Sequence, residues 1–181
     1  MARIDIGDML TPRTWQAIDG TEISIPDPER LVHLQFRRFA GCPICHLHLR
    51  TVARRHDEIA AVGVAEIVVF HSDAPALRRY QADLPFAVIA DPERALYTEF
   101  GVDSSPMVVV DPRAWAAAAK GVLHQRSLTG ALGLGEDHFG RPADFLVAPD
   151  GRVLARKYGS HADDQWPVDE ILALAARFRS T

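Results

Sequence analysis

The chain has 181 residues, enough for one well-buried domain and too few for two of ordinary size. Its formal net charge is −4, so it lacks the excess of positive charge that favours nucleic-acid binding. No segment approaches the roughly 20 apolar residues of a membrane-spanning helix, and the N-terminus lacks the apolar run of a signal peptide. We therefore expect one cytoplasmic domain with neither a nucleic acid nor a membrane as partner.

The first half of the chain predicts alternating strands and helices. An irregular lead-in contains one short strand at residues 21–25. Alternating apolar residues predict a strand at residues 31–36, and a helix then runs from the two cysteines to about Gly63. Residues 65–70 predict a strand buried on both faces. This order of strand, helix and strand predicts an α/β fold with parallel strands.

The middle of the chain continues the alternation. Residues 74–83 predict a short helix and residues 85–89 a short strand. Asp91 as a cap and Pro92 at the first position predict a further helix that ends at Gly101.

An insertion is predicted next, over residues 103–140. It contains a predicted strand at residues 107–110, an alanine-rich helix at 113–120 and a loop of glycines and charges. The whole chain, residues 1–181, is therefore predicted to be one domain with this insertion.

The C-terminal part predicts a hairpin and a closing helix. The strands lie at residues 143–147 and 152–158, with a turn at 149–151. The helix follows Pro167, and its apolar stripe predicts that it covers one face of the sheet.

Two cysteines form a C-x-x-C motif where the first long strand becomes a helix. Pro43 suits the first helical turn because its φ is fixed and it has no N–H to leave unpaired. Cys42 lies at the helix start, where unpaired N–H groups and the helix dipole favour a thiolate. Cys45 lies one turn further, on the same stripe as Leu49 and Val52. We therefore predict that Cys42 is the reactive sulfur and that Cys45 is shielded and resolves the intermediate.

Two arginines precede the motif. Arg37 and Arg38 are adjacent on an extended segment, so their side chains point to opposite faces. We predict that one of them at most serves the sulfurs and that the other is solvated.

The motif also permits other hypotheses. Cys42-Pro43-Ile44-Cys45-His46 matches the C-x-x-C-H of haem attachment, but the α/β pattern does not suit a small cytochrome. A metal-binding module is the stronger alternative, with two soft sulfurs and two imidazoles close together. Those ligands are Cys42, Cys45, His46 and His48. They cannot all converge from one helix, so His71 or His161 would have to complete the site. A catalytically silent interaction protein is a third hypothesis.

The order of elements around the C-x-x-C motif resembles the thioredoxin fold. Several segments also look like the peroxiredoxin branch, the alkyl hydroperoxide reductase and thiol-specific antioxidant family. They are residues 6–8, 19–24, the strand that ends at 36–37, 85–92 and 100–102. Residues 141–151 and 158–161 are similar to the peroxiredoxin-like subfamily whose active segment reads Arg-Arg-x-x-Gly-Cys-Pro-x-Cys. The resemblance implies a thioredoxin-like α/β fold, with a central mixed sheet and helices on both faces.

This resemblance implies a thiol-dependent oxidoreductase that needs no cofactor. Cys42 would attack a peroxide or a disulfide, Cys45 would close the C-x-x-C disulfide, and an external thiol, a thioredoxin-like protein or a small molecule, would reduce it. Peroxiredoxin relatives often dimerise, so a homodimer is also predicted.

The resemblance implies roles for further residues. Arg141 matches the arginine that polarises the peroxide, although it is about one residue out of register, so Arg37 and Arg38 compete with it for this role. Pro142 matches the proline that such folds place in cis against the redox pair. Pro43, Pro142 and Arg38 are predicted to contact the substrate.

One departure from the family leaves the attacking sulfur open. Peroxiredoxins carry a threonine or serine three residues before the reactive cysteine, whereas Phe39 stands three before Cys42. If Cys45 is matched to the reactive cysteine instead, Cys42 takes the place of the hydroxyl residue.

Overall fold

The computed structural model of this protein describes residues 3–102 and 140–179. The strand predicted at residues 107–110, the helix predicted at 113–120 and almost all of the predicted insertion lie outside these residues. The single-domain organisation of the whole chain therefore stays a prediction.

Twelve elements form the described part of the chain. In chain order they are β1 (Arg13–Gln16), β2 (Glu22–Ile25), β3 (Leu31–Phe36), α1 (Pro43–Arg54), α2 (His56–Ala61), β4 (Val64–Phe70), α3 (Ala74–Gln81), β5 (Ala87–Ala90), α4 (Ala95–Glu99), β6 (Ala143–Val147), β7 (Val153–Tyr158) and α5 (Val168–Arg179).

Five of the strands form one mixed sheet in the order β5-β4-β3-β6-β7. Strands β3, β4 and β5 run parallel, whereas β6 pairs antiparallel with both β3 and β7. Strands β1 and β2 form a separate antiparallel hairpin. The predicted mixed sheet is confirmed, and β3 is its central strand.

Each face of the sheet is covered by helices, as predicted. On one face Phe36 packs against Tyr97 and Phe100, with ring centroids 5.1 Å apart in both pairs. On the other face, Leu31 and Leu146 belong to a buried cluster to which the helices contribute. The helix residues of that cluster are Val52, Ile59, Val168, Ile171 and Ala175. Because β3 is enclosed on both faces, residues at its carboxyl end start from a rigid position.

Several predicted boundaries differ from the structure. The helix predicted to reach Gly63 is two helices, because the chain leaves helical geometry at Arg55, where φ is −112°. Strand β1 was not predicted, since its four residues carry no apolar run. The N-cap residue of α4 is Arg94 and not Asp91, because the helix begins at Ala95, three residues later than predicted. The Asp91 carboxylate accepts hydrogen bonds from the N–H groups of Ala95, Leu96 and Tyr97.

The prediction of a cis peptide bond before Pro142 is wrong. Among the described residues the cis bond precedes Pro26 instead. The prediction depended on the family resemblance alone, and only about one X–Pro bond in twenty is cis. The Pro142 carbonyl accepts a hydrogen bond from the Gly159 N–H at 2.8 Å.

Gly159 leaves no space for a side chain. A Cβ atom there would lie 2.7 Å from Cγ of Pro142, 2.8 Å from the Asp164 carbonyl oxygen and 2.9 Å from the Pro142 carbonyl oxygen. The chain beyond β7 can therefore approach the segment before β6 this closely only with glycine at this position.

Within residues 3–102 and 140–179, no helix is both long enough and apolar enough to cross a membrane.

Candidate active site

The two cysteines lie at the start of α1, as predicted. Cys42 is the N-cap residue, with extended backbone angles of φ −60° and ψ 114°, and Pro43 occupies the first turn. The Cys45 N–H donates to Cys42 Sγ at 3.3 Å. The sulfur of Cys42 therefore takes the capping role that a serine or aspartate oxygen usually has.

The two sulfurs are in direct contact as free thiols. The Cys45 thiol donates a hydrogen bond to Cys42 Sγ, and the sulfur atoms are 2.6 Å apart. Cys42 Sγ accepts from both the backbone and the side chain of Cys45, so negative charge is favoured on Cys42.

Arg38 is the cation that contacts the pair. Its Nη1 donates to Cys42 Sγ at 3.9 Å, and its guanidinium lies over the Phe39 ring, 5.5 Å from the centroid. Arg38 is only 6% exposed, so solvent screens this charge little.

The environment separates the pKa values of the two thiols. Burial opposes ionisation of Cys42, but the Cys45 thiol, the Arg38 charge and the backbone N–H groups of Ile44 and Cys45 outweigh it and lower the pKa of Cys42 to about 7. Burial and the neighbouring Cys42 raise the pKa of Cys45 well above 9. Near pH 7 about half of the molecules therefore carry a thiolate on Cys42, whereas Cys45 stays a thiol.

Both sulfurs are buried, which corrects the expectation that only Cys45 is shielded. Cys42 is 0% and Cys45 1% exposed. Residues 39–41, here called the thiol loop, are buried as well. Two side chains hold this loop, since the Ala40 N–H donates to Ser72 Oγ at 2.8 Å and Gln81 Nε2 donates to the Ala40 carbonyl at 2.7 Å. A reactant therefore needs a local opening to reach Cys42.

Arg37 is not solvated, contrary to the prediction for the second arginine. It is fully buried, and its Nη2 donates to Asp144 Oδ1 and to Gln35 Oε1, both at 2.7 Å. Its Nη1 donates to the Phe36 and Ala143 carbonyls at 3.0 and 3.3 Å. The end of β3 is thus tied to β6.

Arg37 belongs to a buried ion cluster formed by His33, Arg37, Glu66 and Asp144 on three neighbouring strands. His33 Nδ1 lies 2.8 Å from Glu66 Oε2, and its Nε2 lies 3.1 Å from Asp144 Oδ1. Burial disfavours the imidazolium, but the two carboxylates outweigh it and raise the pKa of His33 to about 9. His33 therefore carries a positive charge at neutral pH, between the carboxyl groups of Glu66 and Asp144.

The histidines of α1 do not support the metal-binding hypothesis. His48 Nε2 accepts from Arg37 Nη2 at 3.3 Å, and burial, with the Arg37 charge, lowers the pKa of His48 well below 6.5. His46 Nε2 accepts from Arg50 Nε at 3.4 Å. Across the described part of the chain, no group of three or more histidine, cysteine, aspartate or glutamate residues could hold a metal ion.

Three further residues were predicted to belong to the site: Pro43, Arg141 and Pro142. Pro43 is buried in the first turn of α1. Arg141 and Pro142 come directly before β6, and among the hydrogen bonds of the described residues none joins Arg141 to a sulfur. The substrate roles of Arg38, Pro43 and Pro142 and the catalytic role of Arg141 stay predictions.

Sequence reasoning missed Ser72, Gln81 and Tyr97, which support the chain around the sulfurs. No motif marks them, because each acts through a partner more than 30 residues away. The ion cluster had a weak signal, since His33 and Gln35 place polar groups on one face of an otherwise apolar strand.

The fold agrees with solved structures over nearly its whole length. Peroxidoxin BcpB from Mycobacterium tuberculosis has a TM-score of 0.71 and 16% identity, with 98% of this chain and 99% of that chain covered. Mycobacterium tuberculosis AhpC has a TM-score of 0.68 and 16% identity over 99% and 95% of the two chains. The reduced 2-Cys peroxiredoxin of Plasmodium vivax has a TM-score of 0.71 and 12% identity over 97% and 82%. At these identities the agreement establishes the thioredoxin-like fold.

The fold and the cysteine pair define a thiol-dependent oxidoreductase of the peroxiredoxin-like class. Residues 51–161, more than half of the chain, match the model of the AhpC/TSA antioxidant enzymes. The chain belongs to the AhpC/TSA antioxidant enzyme family, which confirms the predicted resemblance. The matched segment begins after Cys45, so it does not assign roles to the two cysteines. Among curated proteins, none matches this chain in sequence.

Proposed function

We propose that this protein is a peroxidase in which Cys42 attacks a small peroxide and Cys45 resolves the product. The observation that carries the proposal is the arrangement at the start of α1. Cys42 Sγ caps the helix, with the Cys45 thiol 2.6 Å away and Arg38 at 3.9 Å.

The reaction would proceed in three balanced steps. The Cys42 thiolate attacks the terminal peroxide oxygen, the O–O bond breaks, and the alkoxide or hydroxide leaves and takes up a proton, so that Cys42 becomes a sulfenic acid. The Cys45 sulfur then displaces the sulfenic oxygen, which leaves as water with the Cys45 proton. An external dithiol reduces the resulting disulfide by exchange and is itself oxidised.

Arg38 would serve this reaction twice. Its charge favours the Cys42 thiolate before attack, and the same charge is available for the oxygen that leaves with negative charge. We propose Arg38 for the polarising role because it makes the contact with Cys42, whereas Arg141 stays the alternative that the family resemblance suggests.

Burial of the sulfurs favours a small peroxide over a protein disulfide as the oxidant. A peroxide has few heavy atoms and needs only a slight opening of the thiol loop. An external thiol must reach the Cys42–Cys45 disulfide through a larger opening, so we expect reduction to be slower than oxidation.

The setting of the reaction follows from this chemistry. A cytoplasmic location would supply the external thiol, either a thioredoxin-like protein or a small molecule.

We further propose that residues 1–181 form one domain in which residues 103–140 are an insertion. A homodimer also stays a prediction, which sedimentation velocity would check.

The order of the two half-reactions is testable without variants. Reduced protein mixed with excess hydrogen peroxide should consume about one equivalent in a fast phase and then stop unless dithiothreitol is present. Stopped-flow fluorescence and titration of the remaining thiols measure this. A protein that reduces the disulfides of insulin rapidly but shows no fast phase with peroxide would be a disulfide reductase instead.

Replacing Arg38 by methionine should raise the pKa of Cys42 by about one unit, because an opposite charge close to the sulfur is lost. At pH 7 the thiolate fraction would fall from about one half to about one tenth, and alkylation by iodoacetamide would slow roughly fivefold. Near pH 10 both proteins should react at similar rates, since Cys42 is ionised in each. The pH profile of alkylation measures the shift.

The matched control is Arg50→Met, on the exposed side of the same helix. Arg50 pairs with Asp83 at 2.8 Å, and both side chains are largely exposed. This variant should leave the pKa of Cys42 unchanged. Equal shifts in the two variants would show that general charge, and not the Arg38 contact, sets the pKa.

A further inference from the structure

Tyr97 of α4 lies behind the segment that carries Arg38. It is only 4% exposed, and its hydroxyl donates towards the carbonyl oxygens of Arg37 and Val69, the latter at 3.0 Å. Its ring packs edge-on against Phe36, with centroids 5.1 Å apart, and against His71 at 5.7 Å. Both the ring and the hydroxyl of Tyr97 therefore have fixed positions.

The hydroxyl lies where the backbone leaves the sheet. The Arg37 N–H donates to the Val69 carbonyl at 2.9 Å, which continues the pairing of β3 with β4. One residue later the Arg38 carbonyl accepts from the His71 N–H at 3.4 Å, which is long for such a bond. Tyr97 thus holds the last carbonyl before the chain turns towards the sulfurs.

The residue after the Arg37 carbonyl is Arg38, and its side chain contacts Cys42. Arg38 Nη1 is 3.9 Å from Cys42 Sγ, near the upper limit for a hydrogen bond to sulfur. A displacement of the Arg38 backbone by a few tenths of an ångström would therefore weaken the contact. The contact between the Arg38 charge and Cys42 therefore depends on the position of the Arg38 backbone.

We propose that Tyr97 is a positioning residue for the proposed peroxidase reaction: its hydroxyl fixes the Arg37 carbonyl and so holds the Arg38 guanidinium against Cys42. This inference rests on the proposed function, because it assigns a role relative to Cys42 as the reactive thiol. Tyr97 itself touches neither sulfur by any hydrogen bond of the described residues, so it acts through Arg38.

The charged and titratable neighbours of Tyr97 are compatible with this role. Asp91 lies in the turn before α4, Arg37 and Arg38 lie at the end of β3, and His71 follows β4. Burial, followed by the neighbouring Cys45 and Asp91, raises the pKa of Tyr97 well above 10. The hydroxyl therefore keeps its proton and remains a donor over the range in which Cys42 titrates.

Tyr97→Phe tests the inference, because it removes the hydroxyl and keeps the ring. We expect the pKa of Cys42 to rise by about half a unit or more, and alkylation by iodoacetamide at pH 7 to slow about twofold to threefold. At pH 10 the rate should match that of the unmodified protein, since Cys42 is then ionised in both. A loss of rate that persists at pH 10 would indicate a general structural defect and overturn the proposal.

Tyr158→Phe is the matched control. Its hydroxyl also donates to backbone carbonyls, those of Phe100 at 2.6 Å and Ile4 at 3.2 Å, neither of which belongs to the Arg37–Arg38 segment. This variant should leave the pKa of Cys42 unchanged. A shift equal to that of Tyr97→Phe would show that the loss of either tyrosine hydroxyl has the same effect and would contradict the proposed role.

A double variant separates the two steps of the argument. In an Arg38→Met background, Tyr97→Phe should produce no further shift, because Tyr97 acts through Arg38. Additive shifts would overturn the inference. If the unmodified protein itself shows a Cys42 pKa near 9, the proposed function fails; a pKa near 7 that Tyr97→Phe leaves unchanged defeats only the role of Tyr97.

Discussion

Cys42→Ser should abolish peroxide reduction, with the rate falling roughly a thousandfold or more, since a serine hydroxyl is not ionised at neutral pH. Cys45→Ser should still react once, because Cys42 keeps Arg38 and its position at the helix start. That single reaction should be slower at pH 7, since the Cys45 thiol helps to lower the pKa of Cys42. Stopped-flow mixing with hydrogen peroxide gives both rates.

The products distinguish the two cysteines as well. Cys45→Ser should accumulate a sulfenic acid on Cys42 that dimedone traps, and mass spectrometry of the peptide locates it. No such product should form in Cys42→Ser. The reverse result, with a trapped sulfenic acid on Cys45, would make Cys45 the attacking sulfur, which is the assignment that the motif alone leaves open.

Asp144→Asn should lower the free energy of unfolding by about 3 kcal/mol or more, because it leaves Arg37 and His33 buried without one of their anions. Asp144 Oδ1 lies 2.7 Å from Arg37 Nη2 and 3.1 Å from His33 Nε2, and all three side chains are 0% exposed. Urea unfolding followed by circular dichroism measures the change.

The control is Asp83→Asn, which breaks the exposed pair with Arg50. The two side chains are 63% and 46% exposed, so the loss should be below about 1 kcal/mol. Similar losses in both variants would mean that the buried ion cluster contributes no more than a surface ion pair.

The pH dependence of stability gives a second measure of the cluster. The pKa of His33 is raised from 6.5 to about 9, so His33 stabilises the fold fully below pH 6.5 and loses this contribution as the pH rises through about 9. The full loss is on the order of 3 kcal/mol. Cys42 acts in the opposite direction, because its lowered pKa adds stability as the pH rises from 7 to 9. The measurement therefore belongs in a Cys42→Ser background, where stability should fall over this range and fall less once Asp144 is also replaced.

Local pattern predicted those parts of the fold whose determinants lie close together in sequence. Strand β3 has the bounds predicted from its alternating residues, and the cysteines lie at a helix start because Pro43 and the apolar stripe indicate one. The same reasoning failed where the local sequence carries no signal. The second helix after the cysteines was merged with the first, because no breaking residue such as glycine or proline marks Arg55.

The site was predictable only in part, for the same reason. The C-x-x-C spacing indicates which sulfur a helix start would activate. It does not indicate that Arg37 is neutralised by Asp144, which is 107 residues away. Nor does it reveal that Gln81 and Ser72 hold the thiol loop closed. These contacts depend on strand order and register, which the local pattern does not encode.

Gly159 has a consequence for how this chain can diverge over evolution. Its neighbours on the missing Cβ side include two main-chain oxygens, which cannot be exchanged for smaller groups by mutation. No substitution elsewhere can therefore create the room by trimming a side chain, and even alanine would force the two segments apart. Descendants that keep this close crossing should retain glycine here, whereas a lineage that has lost it must have rebuilt the path of the chain after β7.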